Sequence, residues 1–556
     1  MKIDMFSRRH FLKLAGLAII TPKIALQARP SNKIQPNVLF IICDDLNDSV
    51  EGMGGHPQAK TPNIDRLIGS GTGFSNAHSN NPVCGPLRAS LWSGLYPHTT
   101  GYYGHDQNVN QWRMNSTLRN CKTIFEHFSD NGYGVHATGK IFHNNQSTKE
   151  LFVEKDGKEN FGVEFNFGPF PWDGKLGGPK MVTKHSSIPK PFGKDGFETF
   201  APLSDIPSVD PDEAKGVPGY NGWVQFANRT AKPFKYNSPT DRDLMVDELS
   251  VEWASKVLKE DHKKPFFLTL GFVRPHSPWI VPKKYFDMFP LDQIKLPPYL
   301  ENDLDDCGNH IKECKAKEIN TYTRFERLKV AYKGNAGWKK WLQAYIACVA
   351  FVDDQIGKIL NALEDSPYSD NTIVVLTSDH GFHMGEKDLL FKNTVWEEST
   401  RVPLVIRLPH NSTQKTICKH PVSLVDLYPT LIDLCNLPNH PNKEGNHYDL
   451  DGYSLRPFLE KSSKKNWQGP PVAISCIQGG EITKPRASGR IGEQHFSVRS
   501  EQWRYILYSN GEEELYDHNY DPHEWNNLAS LEEYSNVKCN LKKELFNLKL
   551  RKTVKS

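Results

Sequence analysis

Val38-Leu39-Phe40-Ile41-Ile42-Cys43 is an unbroken apolar run, preceded by Pro36 and closed by Asp44-Asp45. A strand solvated on one face alternates apolar and polar residues, whereas a run without alternation is covered on both faces, as in parallel sheets. Three later runs share this character: Pro265-Phe266-Phe267-Leu268-Thr269-Leu270, Ile373-Val374-Val375-Leu376 and Val402-Pro403-Leu404-Val405-Ile406. Helical patterns separate them. The plainest is Tyr345, Cys348, Val352, Ile356, Ile359 and Leu363, which step by three and four to give one apolar stripe. Buried strands alternating with amphipathic helices predict an α/β fold around a mostly parallel sheet. Ligands gather at the carboxyl ends of such strands. Asp44-Asp45 follow the first run directly, and Asp379-His380 follow Leu376 after only Thr377-Ser378, so the two pairs are expected to converge on one edge.

The chain has 556 residues, 38% apolar and 11% aromatic, enough for one large core and a smaller one. Its 68 Lys and Arg nearly balance 65 Asp and Glu, so no global field marks nucleic acid or an anionic membrane as partner, and anion recognition must be local. A mean hydropathy of −0.57 and the lack of a long apolar run beyond the N-terminus exclude a polytopic membrane protein. At that N-terminus, Ser7-Arg8-Arg9-His10-Phe11-Leu12-Lys13 and the apolar stretch Leu14 to Ile20 resemble a twin-arginine export signal, expected over residues 1–28 with cleavage near Ala28. The protein is therefore expected in the periplasm or beyond it.

Ten cysteines are sparse for a disulfide framework. Cys43 and Cys348 read as buried thiols, while Cys307 and Cys314 are close enough in sequence to pair. A catalytic part is expected over residues 34–460, with an insertion at about 150–240, rich in Gly, Pro, Lys and Asp, that shapes the substrate cleft. Trp172, Trp223 and Lys190 are its candidate substrate contacts. After a Lys-Ser linker, alternating strands flank Asn510-Gly511, a hairpin signal, so residues 468–556 are expected to form a small antiparallel α+β subdomain.

The chemistry centres on Cys84-Gly85-Pro86-Leu87-Arg88-Ala89-Ser90-Leu91-Trp92-Ser93-Gly94. Pro86 is expected to open a helix, with Arg88 one turn from Cys84. A cysteine at a helix N-terminus faces backbone N–H groups and a dipole that favour an anion. Asp44, Asp45 and Asp379 are hard oxygen donors suited to calcium or magnesium, with His380 able to complete the set. Zinc would be expected to recruit more imidazole or thiolate. Three carboxylates repel an anionic substrate unless cations stand close, and Lys140, Lys392 and Arg88 are the candidates.

Cys84-x-Pro86-x-Arg88 resembles the signature at which type I sulfatases convert cysteine to formylglycine, with Leu87 where the commonest version has Ser. Further likenesses follow in the family's order: Asp44-Asp45, Thr61-Pro62-Asn63-Ile64-Asp65-Arg66-Leu67, Gly139-Lys140-Ile141-Phe142-His143, Arg274-Pro275-His276, Asp379-His380-Gly381 and Glu514-Leu515-Tyr516-Asp517. The chain looks most like the iduronate-2-sulfatase branch, through Lys140-x-x-His143, Asp379-His380 and Gln343-Ala344-Tyr345.

The resemblance implies an alkaline-phosphatase-like α/β fold and hydrolysis of a sulfate ester by a formylglycine hydrate made from Cys84. It implies one calcium ion held by Asp44, Asp45, Asp379, His380 and the modified Cys84, and a formylglycine-generating enzyme as maturation partner. Lys140 and Lys392 would grip the sulfate oxygens and Arg88 would steady the hydrate. In the implied mechanism Asp379 takes the attacking hydroxyl's proton, His276 protonates the departing sugar oxygen, and His143 removes the second hydroxyl's proton to expel sulfate; which histidine is the acid stays open. The implied substrate is a sulfated oligosaccharide or polysaccharide, ulvan first, with carrageenan and glycosaminoglycans behind. Two other readings stand beside it: a formylglycine-dependent phosphodiesterase or phosphonate hydrolase, and a non-catalytic protein that binds sulfated glycans. His383 is read either as lining the pocket or as supporting it.

Overall fold

Asn37–Asp44 (β1) is buried at every position and lies inside an eight-stranded sheet of the computed structural model. Its partners, in chain order, are Thr72–Phe74 (β2), Gly134–Gly139 (β3), Phe161–Glu164 (β4), Phe266–Pro275 (β5), Thr372–Ser378 (β6), Leu404–Arg407 (β7) and Thr416–Cys418 (β8). Across the sheet the order is β8-β2-β7-β6-β1-β5-β3-β4. The structure describes residues 35–104, 112–143, 148–154, 157–171, 198–205, 222–227, 230–318, 320–409, 416–439, 441–442, 449–460, 466–479 and 490–550. The expected export signal, Trp172 and Lys190 lie outside them.

The run at 38–43 does what its lack of alternation predicts. Leu39, Ile41 and Cys43 enter one apolar layer, and Val38, Phe40 and Ile42 enter the layer on the opposite face. Each such side chain contributes about 1.5–3 kcal/mol relative to exposure. Cys84–Ser93 (α1) packs into the second layer through Leu87, Ala89, Leu91 and Trp92. Val246–Val257 (α2) and Asn335–Glu364 (α3) cover the first, α3 through Tyr345, Cys348, Val352 and Ile356.

β1 pairs in parallel with β5 and β6, and the parallel series continues through β3 to β4. β7 departs from it, running antiparallel to both β6 and β2. A parallel neighbour needs a crossover of a dozen residues or more, usually a helix on the sheet face. The chain after β6 forms only short pieces, a 3-10 turn at Glu386–Asp388, the four-residue helix Glu397–Thr400 and the two-residue strand Arg401–Val402, before turning back as β7. Residues 379–403 thus stay at the carboxyl edge, where the site lies.

Ala473–Gln478 (β9), Gln494–Arg499 (β10), Trp503–Leu507 (β11) and Glu513–Asp517 (β12) form an antiparallel sheet in sequence order. Gly511 supplies the positive φ (90°) in the predicted hairpin turn. Ser535–Leu550 (α4) packs Leu541 and Leu545 against Phe496, Val498 and Tyr505. This sheet is tied to the site-bearing loop by buried charge. Glu397 accepts from Arg499 Nε at 3.1 Å and from Arg504, while Glu524 pairs with Arg504 Nε at 2.5 Å and His518 Nε2 at 3.0 Å.

Two expectations are corrected. Trp223 is fully buried, its Nε1 donating to Leu203 O at 3.1 Å, so it is a core residue and not a substrate contact. Cys307 and Cys314 are separate thiols, as are all ten cysteines: both pack in one apolar cluster, where Cys307 Sγ lies 3.9 Å from the Tyr516 hydroxyl and Cys314 Sγ 3.7 Å from His310 Nε2. Among the described residues no helix is long and apolar enough to cross a membrane.

Candidate active site

The site begins where β1 ends. Successive side chains of a strand point to opposite faces, so Asp44 and Asp45 would ordinarily diverge. Asp45 instead takes φ 67°, a conformation that Asp tolerates better than most residues, and both carboxylates reach the same centre. Neighbours fix this turn: Tyr345 donates its hydroxyl hydrogen to Asp45 O at 2.8 Å, and Asp45 N–H donates to Asp379 Oδ1 at 3.2 Å. On the adjacent strand, Asp379 N–H donates to Cys43 O at 3.1 Å. The two acidic pairs therefore converge as the sequence predicts.

Helix α1 starts at Cys84, two residues before Pro86, and all ten of its residues are buried. Pro86 sits in the first turn, where its missing N–H is not needed by the helix. Cys84 Sγ lies 3.4 Å from Asp44 Oδ1, 3.2 Å from His380 Nε2 and 3.4 Å from Lys392 Nζ. Arg88, one turn on, donates from Nε to Asp379 Oδ2 at 3.0 Å and from Nη1 to the backbone oxygen of Lys140.

Lys140 follows β3 through Gly139, whose φ is +77° and where a Cβ would stand 2.1 Å from Gly271 O. A side chain there would push β3 away from β5. The Lys140 ammonium donates to Asp44 Oδ2, and that of Lys392 to Asp45 Oδ1. His276, after β5, places Nε2 3.8 Å from Asp45 Oδ2 and Nδ1 2.5 Å from Ser277 O. Because a carbonyl only accepts, Nδ1 carries the hydrogen and Nε2 faces the site.

Ligand-type atoms of Asp44, Cys84, Asp379 and His380 lie within 4.8 Å of one another, as do those of Asp44, Asp45, Cys84 and His276. His276, expected only as an acid, thus joins the donor set. His143 belongs to neither group and is half-buried beyond the Lys140-Ile141 turn. His383 is buried behind the cluster with Nε2 2.8 Å from Thr394 Oγ1, and burial takes its pKa down to about 3, so it supports the loop.

The electrostatics are those of crowded acid. Burial, offset in part by Lys392 and reinforced by the Asp44 charge, lifts Asp45 to about 7. Burial and then Asp44 lift Asp379 to about 6. Asp44, against burial and Cys84, is held low by Lys140, His276 and Arg88. Burial opposes a charged His380, yet Asp379 carries it up to about 9. The buried Oδ2 of Asp45 has no hydrogen-bond donor among the described residues. Three carboxylates with an orphaned oxygen fit a hard divalent cation, and the oxygen-rich donor set fits calcium or magnesium better than zinc.

Residues 36–437 match the Sulfatase family, and residues 385–551 match the N-sulphoglucosamine sulphohydrolase C-terminal family. A "Sulfatase" of Formosa agariphila is 34% identical over 94% of this chain and 88% of its own length. The ulvan-active sulfatase of the same bacterium is 25% identical over 94% of this chain and 83% of its own. Among solved structures, the phosphonate monoester hydrolase of Agrobacterium radiobacter shares the fold at a TM-score of 0.65, with 20% identity, 93% of this chain and 96% of that chain covered. The chain belongs to the sulfatase family, with the alkaline-phosphatase-like fold, and is a sulfuric ester hydrolase.

What the sequence reading missed lies at the rim. Phe165 and Phe167, just beyond β4, stand over the Lys140 ammonium with ring centres 5.6 and 4.7 Å from Nζ, and Phe167 lies 4.6 Å from the His276 ring. Their only sequence signal was aromatic content within the insertion.

Proposed function

We propose that the chain releases sulfate from a sulfated carbohydrate, using formylglycine made from Cys84 as nucleophile. The observation that carries this reading is the placing of Cys84 at the start of a buried helix, within hydrogen-bond range of Lys392, His380 and Asp44 at once. A formylglycine hydrate supplies two hydroxyls, one to attack sulfur and one to expel sulfate. A calcium ion, for which Asp44, Asp45, Asp379 and His380 have the donors, would supply Lewis acidity.

The remaining work belongs to the chain's own side chains. Lys140, bonded to Asp44, and Lys392, bonded to Asp45 and 3.4 Å from Cys84 Sγ, would offer their ammonium groups to the sulfate oxygens. Arg88 bonds Asp379 and the Lys140 carbonyl together, so the proton acceptor and one sulfate clamp keep a fixed spacing. His276 in its charged form would deliver a proton from Nε2 to the departing sugar oxygen, a form that burial and then the Lys392 ammonium disfavour until the substrate's negative charge is bound, and His143 would take the proton whose loss frees sulfate.

Similarity to an ulvan-active sulfatase supports ulvan as the first substrate to test, before carrageenan and glycosaminoglycans. The Arg8-Arg9 segment supports export to the periplasm, and the Cys84-x-Pro86-x-Arg88 sequence supports maturation by a formylglycine-generating enzyme. Peptide mass spectrometry after co-expression with such an enzyme tests the reading: a loss of about 18 Da at Cys84 is expected. A thiol under conditions that convert a control sulfatase would end it. Hydrolysis of a phosphonate monoester with no release of sulfate from any ester would move the chain to the phosphonate-hydrolase reading.

A further inference from the structure

Asp44, Asp45, Cys84, Arg88, Lys140, Asp379, His380 and Lys392 are all buried. His276 is the member of the cluster with partial exposure, and Phe165 and Phe167 beside it are half-exposed. A substrate's sulfate that reaches Cys84 therefore leaves the rest of its molecule on the His276 side. The oxygen that His276 would protonate is one covalent bond from the sugar ring, so that ring lies within van der Waals reach of the aromatic residues next to the imidazole.

Those residues are held in place. Phe165 and Phe167 meet edge to face, 5.4 Å apart at 80°. Arg274, fully buried at the end of β5, donates from Nη2 to Gly168 O at 3.1 Å and to Phe167 O at 3.4 Å. Its Nη1 donates to His276 O at 3.3 Å. One guanidinium thus pins the backbone of both Phe167 and His276. Its own backbone is clamped in turn, since Val273 N–H and Arg274 N–H donate to the buried Asp247 carboxylate at 2.8 and 3.0 Å. A residue kept only to fill the core would be covered; these two are held in place and yet partly exposed.

We propose that Phe165 and Phe167 form the platform on which the sulfated sugar ring stacks its apolar C–H face, and that Arg274 is the positioning residue that sets this platform against His276. The proposal rests on the sulfated-carbohydrate reading above. Aromatic rings offer a broad, rigid apolar surface at low entropic cost, and the Lys140 ammonium under the Phe167 ring fixes its orientation further.

The test uses the full chain carrying Cys84→Ala, which binds without turnover, and calorimetry with inorganic sulfate and with sulfated disaccharides from ulvan, carrageenan and chondroitin. Phe167→Leu, which keeps apolar volume but removes the ring, is expected to weaken the bound disaccharide about tenfold more than it weakens inorganic sulfate, roughly 1.4 kcal/mol. Phe167→Tyr restores the affinity. In the otherwise unaltered enzyme, Arg274→Lys raises KM for that disaccharide more than it lowers kcat, with an unchanged melting temperature as the check on folding. Equal weakening of both ligands, no weakening of either, or binding of inorganic sulfate with none of the disaccharides would overturn the platform. Binding of none of the ligands would instead remove the sulfatase reading beneath it.

Discussion

Two clusters of buried charge flank the loop between β6 and β7, and they are built on opposite terms. In the network of Glu397, Arg499, Arg504, His518 and Glu524, each acid faces donors of fixed geometry. Burial would raise Glu397, but Arg499, His518 and Arg504 hold it well below the usual carboxylate range. At the site, three acids share one space, and burial and mutual repulsion lift Asp45 and Asp379 in spite of Lys392 and Arg88. Pairing marks the first cluster as a fastening between the two sheets, and crowding marks the second as a place built for a further cation and an anion. The Glu397, His518 and Glu524 trio has metal-like spacing, yet its arginines already neutralise it.

The contrast predicts different consequences for substitutions on the two sides. Cys84→Ala is expected to cut sulfate release by roughly five orders of magnitude or more, the scale seen when a nucleophile is removed, with the melting temperature unmoved. Activity within a hundredfold of the parent would break the catalytic half of the comparison. Glu397→Gln should lower unfolding free energy in urea by about 3–5 kcal/mol, because the buried Arg499 loses its carboxylate partner and Arg504 one of its two. Since the Glu397 pKa is depressed on folding, its contribution is present above the unfolded value of about 4.5 and fades as pH falls through the folded one, so the gap between variant and parent should start to narrow below about pH 4.5 and go on narrowing as the solution is made more acid. A gap that widens on acidification would reverse the reading.

Asp45→Asn removes one of the crowded acids. Calcium at a hundred times its Kd should stabilise the parent by about 2.7 kcal/mol in thermal scans and leave this variant unmoved. An equal calcium response would take Asp45 out of the donor set. The smallest effect is expected at Glu513, which burial would raise but which Lys542, Tyr505 and Lys538 hold down to about 2. Glu513→Gln should cost under about 1 kcal/mol at pH 7, since solvent screens the pairs, and a larger loss would mean that the fastening extends to α4.

Much of this was legible in the chain. Buried strands betray themselves by apolar runs, and their carboxyl ends by the acids that follow, which is why β1, β5, β6, Asp44-Asp45 and Asp379-His380 were readable. Asn510-Gly511 announced its hairpin because only certain residues accept that turn. The reversed sense of β7 was not readable, because a buried run carries no direction; the short path from residue 379 to 403 decides it. Strands of three residues such as β2 and β8 are too brief for a pattern. Phe165, Phe167 and Arg274 act through contacts across more than a hundred residues of sequence, which composition does not encode. Nor does the seven-residue spacing of Cys307 and Cys314 tell which way their thiols turn.

The burial of every residue in α1 sets a schedule. Cys84 is 1% exposed, and the helix that carries it is sealed under the sheet. A second protein can grasp that segment only while it is still extended, so the oxidation proposed for Cys84 has to come early in the life of the chain, before the core closes. A molecule that folds first keeps its thiol, and no later exposure to the modifying enzyme short of unfolding would rescue it.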